Sequence, residues 1–168
     1  MSKVAVIVTD FVEDVEYTSP VEALKQAGND VTVIEFEAGK TVKGKHGVNI
    51  KIDKTIDEVK PDDFDALLIP GGFSPDQLRA DERMVDFVKA FLLASKPTFA
   101  ICHGPQLFIQ TGLTKGRKMT AYVTVRPDLY YAGAEVEDQP VVIDNNLVTS
   151  RAPDDLDQFN HAIVDALK

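Results

Sequence analysis

The chain has 168 residues, 44% of them hydrophobic, and carries 18 Lys and Arg against 27 Asp and Glu for a formal net charge of −9. That length suits a single domain spanning residues 1–168, large enough to bury a core without disulfides or a structural metal. The acidic balance argues against nucleic acid as a partner, which calls for clustered Lys and Arg. No apolar stretch nears the ~20 residues a membrane span needs.

Val4 to Thr9 is a short apolar run rich in Val and Ile, the pattern of a strand buried on both faces of a parallel sheet. Met1 to Lys3 followed by the apolar run Val4 to Val8 is too short for a signal-peptide core with its cleavage site, and one cysteine in the whole chain fits a reducing compartment. The expected location is the cytoplasm. From Pro20, apolar residues at 21, 24 and 27 have helical spacing, with Gly28 as the stop. Val31 to Phe36 is a second strand, which completes a βαβ unit. Thr41 to Thr55 is polar, with Gly44 and Gly47 around His46 and the alternation Val48 to Ile52, and reads as a hairpin or edge excursion.

Ala66 to Ile69 is another buried strand, closed by Pro70, Gly71 and Gly72. Arg83 to Ala94 has a wide apolar helical face, Thr98 to Ile101 is the next strand, and Gly104 to Thr111 is expected to be helical. A short strand near Ala121 to Val123, a helix near Asp128 to Ala132, a hairpin from Val141 to Val148 and a last helix ending at Leu167 complete the reading. Strands alternating with helices give an α/β fold, a flavodoxin-like three-layer sandwich with a mostly parallel central sheet. In such sheets, sites form beyond the carboxyl ends of the strands. Here that means after Thr9, after Ile69 and after Ile101.

Cys102 follows Ile101 directly, with small Ala100 two residues before it and small Gly104 two residues after. This spacing matches a nucleophile elbow, where small flanking residues let a strand turn sharply into a helix and expose the nucleophile. A helix N-terminus beyond it would favour a thiolate. The alternative is a small buried hydrophobe. His103 is next to it as base or thiolate partner, or as a surface cap. Gly71 and Gly72 offer backbone N–H groups to a ligand, as an oxyanion hole requires, or form an ordinary turn. Glu13 and Glu16 lie three apart on one face of any helix that has begun, either as solvated dipole partners or as pocket acids with raised pKa. His46 and His161 carry no motif, no His, Cys and Asp spacing suggests a metal, and no phosphate loop or other cofactor motif is present.

Glu13-Asp14-Val15-Glu16, Pro70-Gly71-Gly72, Ala100-Ile101-Cys102-His103-Gly104-Pro105 and Val148 to Asp154 together resemble the DJ-1/PfpI superfamily, and within it the PfpI branch of intracellular proteases, stress proteins and protein deglycases. The likeness runs from about Lys3 to the C-terminus. It implies Cys102 as nucleophile, His103 as its partner and Glu16 as a buried protonated acid on the sulfur. Gly72 and His103 would supply the oxyanion-hole N–H groups. Glu13, Gly71 and Tyr122 would line the substrate pocket. Asp76, where many relatives carry Glu, would reach His103 from a neighbouring subunit, so a homodimer or higher oligomer is implied.

Three activities are compatible with this set. One is conversion of methylglyoxal or glyoxal, free or as adducts on protein, through a hemithioacetal on Cys102. The second is peptide hydrolysis through an acyl-enzyme. The third is a redox sensor or chaperone-like stress protein without catalysis.

Overall fold

A computed structural model describes residues 1–168. In chain order the elements are β1 (Lys3–Ile7), α1 (Asp14–Gln26), β2 (Asp30–Glu35), β3 (Thr41–Lys43), β4 (Asn49–Lys51), β5 (Lys54–Thr55), β6 (Ala66–Ile69), α2 (Ser74–Leu78), α3 (Glu82–Leu93) and β7 (Thr98–Ile101). There follow α4 (Gln106–Ile109), β8 (Lys118–Met119), α5 (Arg126–Tyr131), β9 (Glu135–Val136), β10 (Val141–Asp144), β11 (Leu147–Ser150) and α6 (Leu156–Ala166).

Seven strands form one sheet in the order β10-β11-β7-β6-β1-β2-β5. Every pair is parallel except β10 with β11, which is the hairpin expected near Val141. The central strands are buried on both faces, which is why they read as unbroken apolar runs. Alternate residues feed two different cores. Ala5, Ile7, Leu67, Ile69 and Ala100 point to the face covered by α3, α4 and α5, with Phe87, Phe91 and Phe108. Val4, Val6, Leu68, Phe99 and Ile101 point to the face covered by α1 and α6, with Leu24, Phe159 and Ile163. Each fully buried Leu, Ile or Phe among them contributes about 1.5–3 kcal/mol of transfer free energy. A third, smaller cluster (Val8, Val12, Val33, Val42, Ile50, Ile52) seats the β3–β4 hairpin on the carboxyl end of β1 and β2.

Three boundaries differ from the sequence reading. The first helix begins at Asp14 and runs through Pro20 instead of starting there. Proline costs one backbone hydrogen bond within a helix, and burial of Glu16, Pro20, Val21 and Leu24 on one face offsets that loss. The helix expected over 104–111 is only the four residues of α4. The strand expected at Ala121 to Val123 lies instead at β8, paired in parallel with β9, and residues 120–123 run on as irregular chain toward the site. No helix is long and apolar enough to cross a membrane.

Candidate active site

The carboxyl ends of β1, β6 and β7 deliver the three loops named above to one cavity of about 470 Å³. Cys102 sits directly after β7 with φ +61, a left-handed conformation that is costly for any residue with a Cβ. Its N–H donates to the Ser150 carbonyl at 3.0 Å, and the turn closes with Gly104 N–H on the Ile101 carbonyl at 2.8 Å. Gly104 has no substitute here: a Cβ would lie 2.4 Å from the Ile69 carbonyl oxygen. The strained elbow aims the sulfur into the cavity while leaving Cys102 only 6% exposed.

Glu16, in the first turn of α1, is fully buried beneath the sulfur. Its Oε1 accepts the Gly71 N–H at 2.9 Å. Its Oε2 has no hydrogen-bond partner, and the carboxyl group as a whole interacts with the Cys102 thiol. Burial pushes the Glu16 pKa up to about 8; the Cys102 and Gly71 hydrogen bonds oppose this shift, and the charge of Glu13 adds to it. The carboxyl therefore holds its proton at neutral pH. Burial also pushes the Cys102 thiol up, as does the Glu16 carboxylate when ionised, while N–H groups of Gly72 and His103 pull it down. The two groups titrate as a pair. With the proton on Glu16, the repulsion on the thiolate vanishes and an O–H faces the sulfur.

His103 places Nδ1 3.3 Å from Cys102 Sγ, so the turn brings together two neighbours that a regular strand would point apart. Its ring stacks on Tyr122 at 4.8 Å between centroids. Burial, then the charge of Lys45, holds its pKa below the ordinary histidine value, with Asp76 opposing. His103 is thus neutral at pH 7 and can accept a proton. Tyr122 is fixed by its N–H on the Cys102 carbonyl at 2.9 Å. Asp76, on α2, is exposed at the rim of its own chain's cavity and influences His103 through space, without a hydrogen bond to it.

Two expectations are refined by this geometry. The Gly71 N–H is engaged by Glu16 and is not offered to a ligand; the N–H groups of Gly72 and His103 are the ones facing the sulfur. The four-residue α4 is too short to supply the helix field expected for the thiolate, and those two N–H groups supply the local positive potential instead. Glu13 does reach the cavity, but its carboxylate is bound on both oxygens, by Lys45 Nζ at 2.6 Å and His46 Nε2 at 3.3 Å.

Lys45 and His46 were not legible as site residues. They come from the tip of the β3–β4 hairpin, and only its docking on α1 brings them to Glu13. Gln106 also lines the cavity, with its Oε1 buried and unpartnered. His161 is remote, in a surface cleft between α1 and α6, where its ring contacts the Asp157 carbonyl at 2.8 Å. No group of three His, Cys, Asp or Glu side chains converges to hold a metal ion.

The model of the DJ-1/PfpI family matches residues 2–166. The Bacillus subtilis (strain 168) protein named "Putative cysteine protease YraA" is 58% identical over 166 residues, 99% of this chain and 98% of that protein. General stress protein 18 of the same organism is 58% identical over 160 residues, 94% of this chain and 93% of that protein. Among solved structures, a two-domain protein from Anabaena variabilis ATCC 29413 with DJ-1/ThiJ/PfpI-like and ferritin-like domains superimposes with a TM-score of 0.96 at 39% identity. That match covers 99% of this chain and 48% of the Anabaena chain.

Proposed function

The chain belongs to the DJ-1/PfpI family, and from that premise we propose that it is a cysteine-dependent stress-response enzyme of reactive-carbonyl chemistry. Its substrates are methylglyoxal or glyoxal, free or as early adducts on protein side chains, and its products are lactate or glycolate. The observation that carries this reading is the Glu16–Cys102 pair, in which a buried carboxyl keeps its proton to about pH 8 directly against the only thiol.

The steps follow from that pair. Neutral His103 takes the Cys102 thiol proton as the sulfur adds to the aldehyde carbon, and the oxygen that becomes negative is received by the Gly72 and His103 N–H groups. Protonation of this oxygen gives a hemithioacetal. Glu16 gives its proton to that oxygen, and the carboxylate it leaves moves the proton from the former aldehyde carbon to the adjacent carbon, which converts the hemithioacetal into a 2-hydroxy thioester. Water then cleaves the thioester, releasing the 2-hydroxy acid and returning the thiol. No electrons leave the substrate, since one carbon is oxidised as its neighbour is reduced. On a protein adduct, the departing group is the amine or guanidine that the carbonyl had modified.

A second reading, peptide hydrolysis, is favoured by the 3.3 Å Cys102–His103 contact and by the name of the YraA relative. A peptidase also needs a carboxylate on the outer nitrogen of His103, which Asp76 of a neighbouring subunit would supply in a homo-oligomer. One assay pair separates the two. Purified protein is given methylglyoxal with lactate measured, and separately a fluorogenic peptide. The carbonyl reading expects lactate, with Cys102→Ala lowering it to the uncatalysed background. Lactate formation that survives Cys102→Ala contradicts this reading, and peptide cleavage without lactate favours the second.

A further inference from the structure

The tip of the β3–β4 hairpin is fastened to the start of α1 from several sides. Lys45 N–H donates to the Val12 carbonyl at 3.0 Å, and Phe11 N–H donates to the Lys43 carbonyl at 2.9 Å. The Asp14 carboxylate accepts the His46 and Val48 N–H groups, each at 3.1 Å. Gly44 is required at this junction, because a Cβ there would lie 2.0 Å from Asp14 Oδ1.

What this docking delivers is a cation. Lys45 Nζ lies 2.6 Å from Glu13 Oε2, and the cavity it lines also holds Cys102, Glu16 and His103. Its charge is felt by both Glu16 and His103. An ammonium carries three donors, and Glu13 accepts from only one. No other protein acceptor engages Lys45 Nζ. Glu13 therefore pins the flexible stem and leaves donors free for a ligand. The titratable groups around it are Glu13, His46 at the tip, exposed Asp76 at the rim, and Cys102, Glu16 and His103 in the cavity.

We propose that Lys45 is a further substrate-contacting residue, the receptor for the second oxygen of a vicinal dicarbonyl and for the carboxylate formed from it, with Glu13 and Asp14 as positioning residues. The proposal rests on the carbonyl reading above and narrows its substrate class. In a substrate with adjacent carbonyls, the oxygen on the attacked carbon meets the Gly72 and His103 N–H groups. The neighbouring oxygen then needs its own donor, because negative charge spreads onto it during the proton shift. Simple aldehydes lack this oxygen and forfeit the contact.

The test uses two reagents of nearly equal shape, anionic iodoacetate and neutral iodoacetamide, each alkylating Cys102. Their rate ratio reads the cation at the mouth, and taking it on one protein sample cancels differences in folding and thiolate fraction. Lys45→Met is expected to lower the iodoacetate-to-iodoacetamide ratio about fivefold, with Lys45→Arg keeping it near that of the unmodified chain. In parallel, Lys45→Met should raise KM for methylglyoxal. A ratio unchanged in Lys45→Met overturns the proposal whether or not methylglyoxal is turned over. A ratio that responds to Lys45 while lactate never forms overturns the dicarbonyl assignment and the carbonyl reading, and retains Lys45 as an anion receptor.

Discussion

A Glu16→Gln protein should match the unmodified chain in stability below pH 4.5 and exceed it above pH 8. The reason is the raised pKa of a fully buried carboxyl. Between the ordinary value of 4.5 and about 8, the folded chain keeps a proton that the unfolded chain has released. Stability then falls as pH rises through that window, because the folded state binds more protons. At about 1.4 kcal/mol per pH unit, the loss over the window is on the order of 5 kcal/mol. Gln cannot ionise, and its amide oxygen can still accept the Gly71 N–H, so the substituted protein escapes the penalty. Urea denaturation across this range reads the difference; parallel pH profiles would contradict a protonated Glu16. The gain in stability should come with a loss of function. An amide cannot carry a proton between carbons, so lactate formation should fall about 10²–10⁴-fold.

Gly71→Ala should lose activity for a different reason. Gly71 has no positive φ to accommodate, so its backbone tolerates alanine. The obstacle is space: the new Cβ would lie 2.4 Å from Glu16 Oε1 and 2.9 Å from both the Cys102 Cβ and the His103 nitrogen. Two of those three contacts belong to the elbow, which cannot retreat without unwinding the turn at Cys102. The Glu16 side chain must move instead, giving up its bond to the Gly71 N–H and its place beneath the sulfur. Such a displacement should cost about 10²-fold in kcat/KM, with an overpacking penalty of about 1–3 kcal/mol in stability. Near-normal turnover with Gly71→Ala would show that the Glu16 position is not needed.

Much of this site was legible in the chain because it lies where buried strands end. The runs Val4 to Thr9, Ala66 to Ile69 and Thr98 to Ile101 announce themselves by unbroken hydrophobicity, so the loops after them could be named in advance. The small residues around Cys102 follow from a turn that has no room for side chains, as the Cβ clash at Gly104 bears out. Residues whose role depends on docking between distant segments were not legible. Lys45 and His46 look like ordinary polar residues of a glycine-rich tip until the hairpin closes on Asp14. The true start of α1 was hidden by Pro20, whose usual place at a helix entrance outweighed the buried Glu16 one turn earlier. The short β8–β9 pairing was missed because two-residue strands carry too few side chains to show a period. Gly71 could be marked as a close-approach glycine, but its partner could not, because an N–H that serves a buried acid has the same sequence signature as one that serves a ligand.

The central claim is that Cys102 bonds covalently to the carbonyl carbon above a Glu16 that is protonated in the resting site. Rapid acid quenching during turnover of methylglyoxal, followed by peptide mass mapping, tests it most directly. The account predicts a substrate-derived adduct on the peptide containing Cys102 that appears before lactate and decays as substrate is exhausted. Lactate accumulating at full rate with Cys102 unmodified at every time point would contradict it.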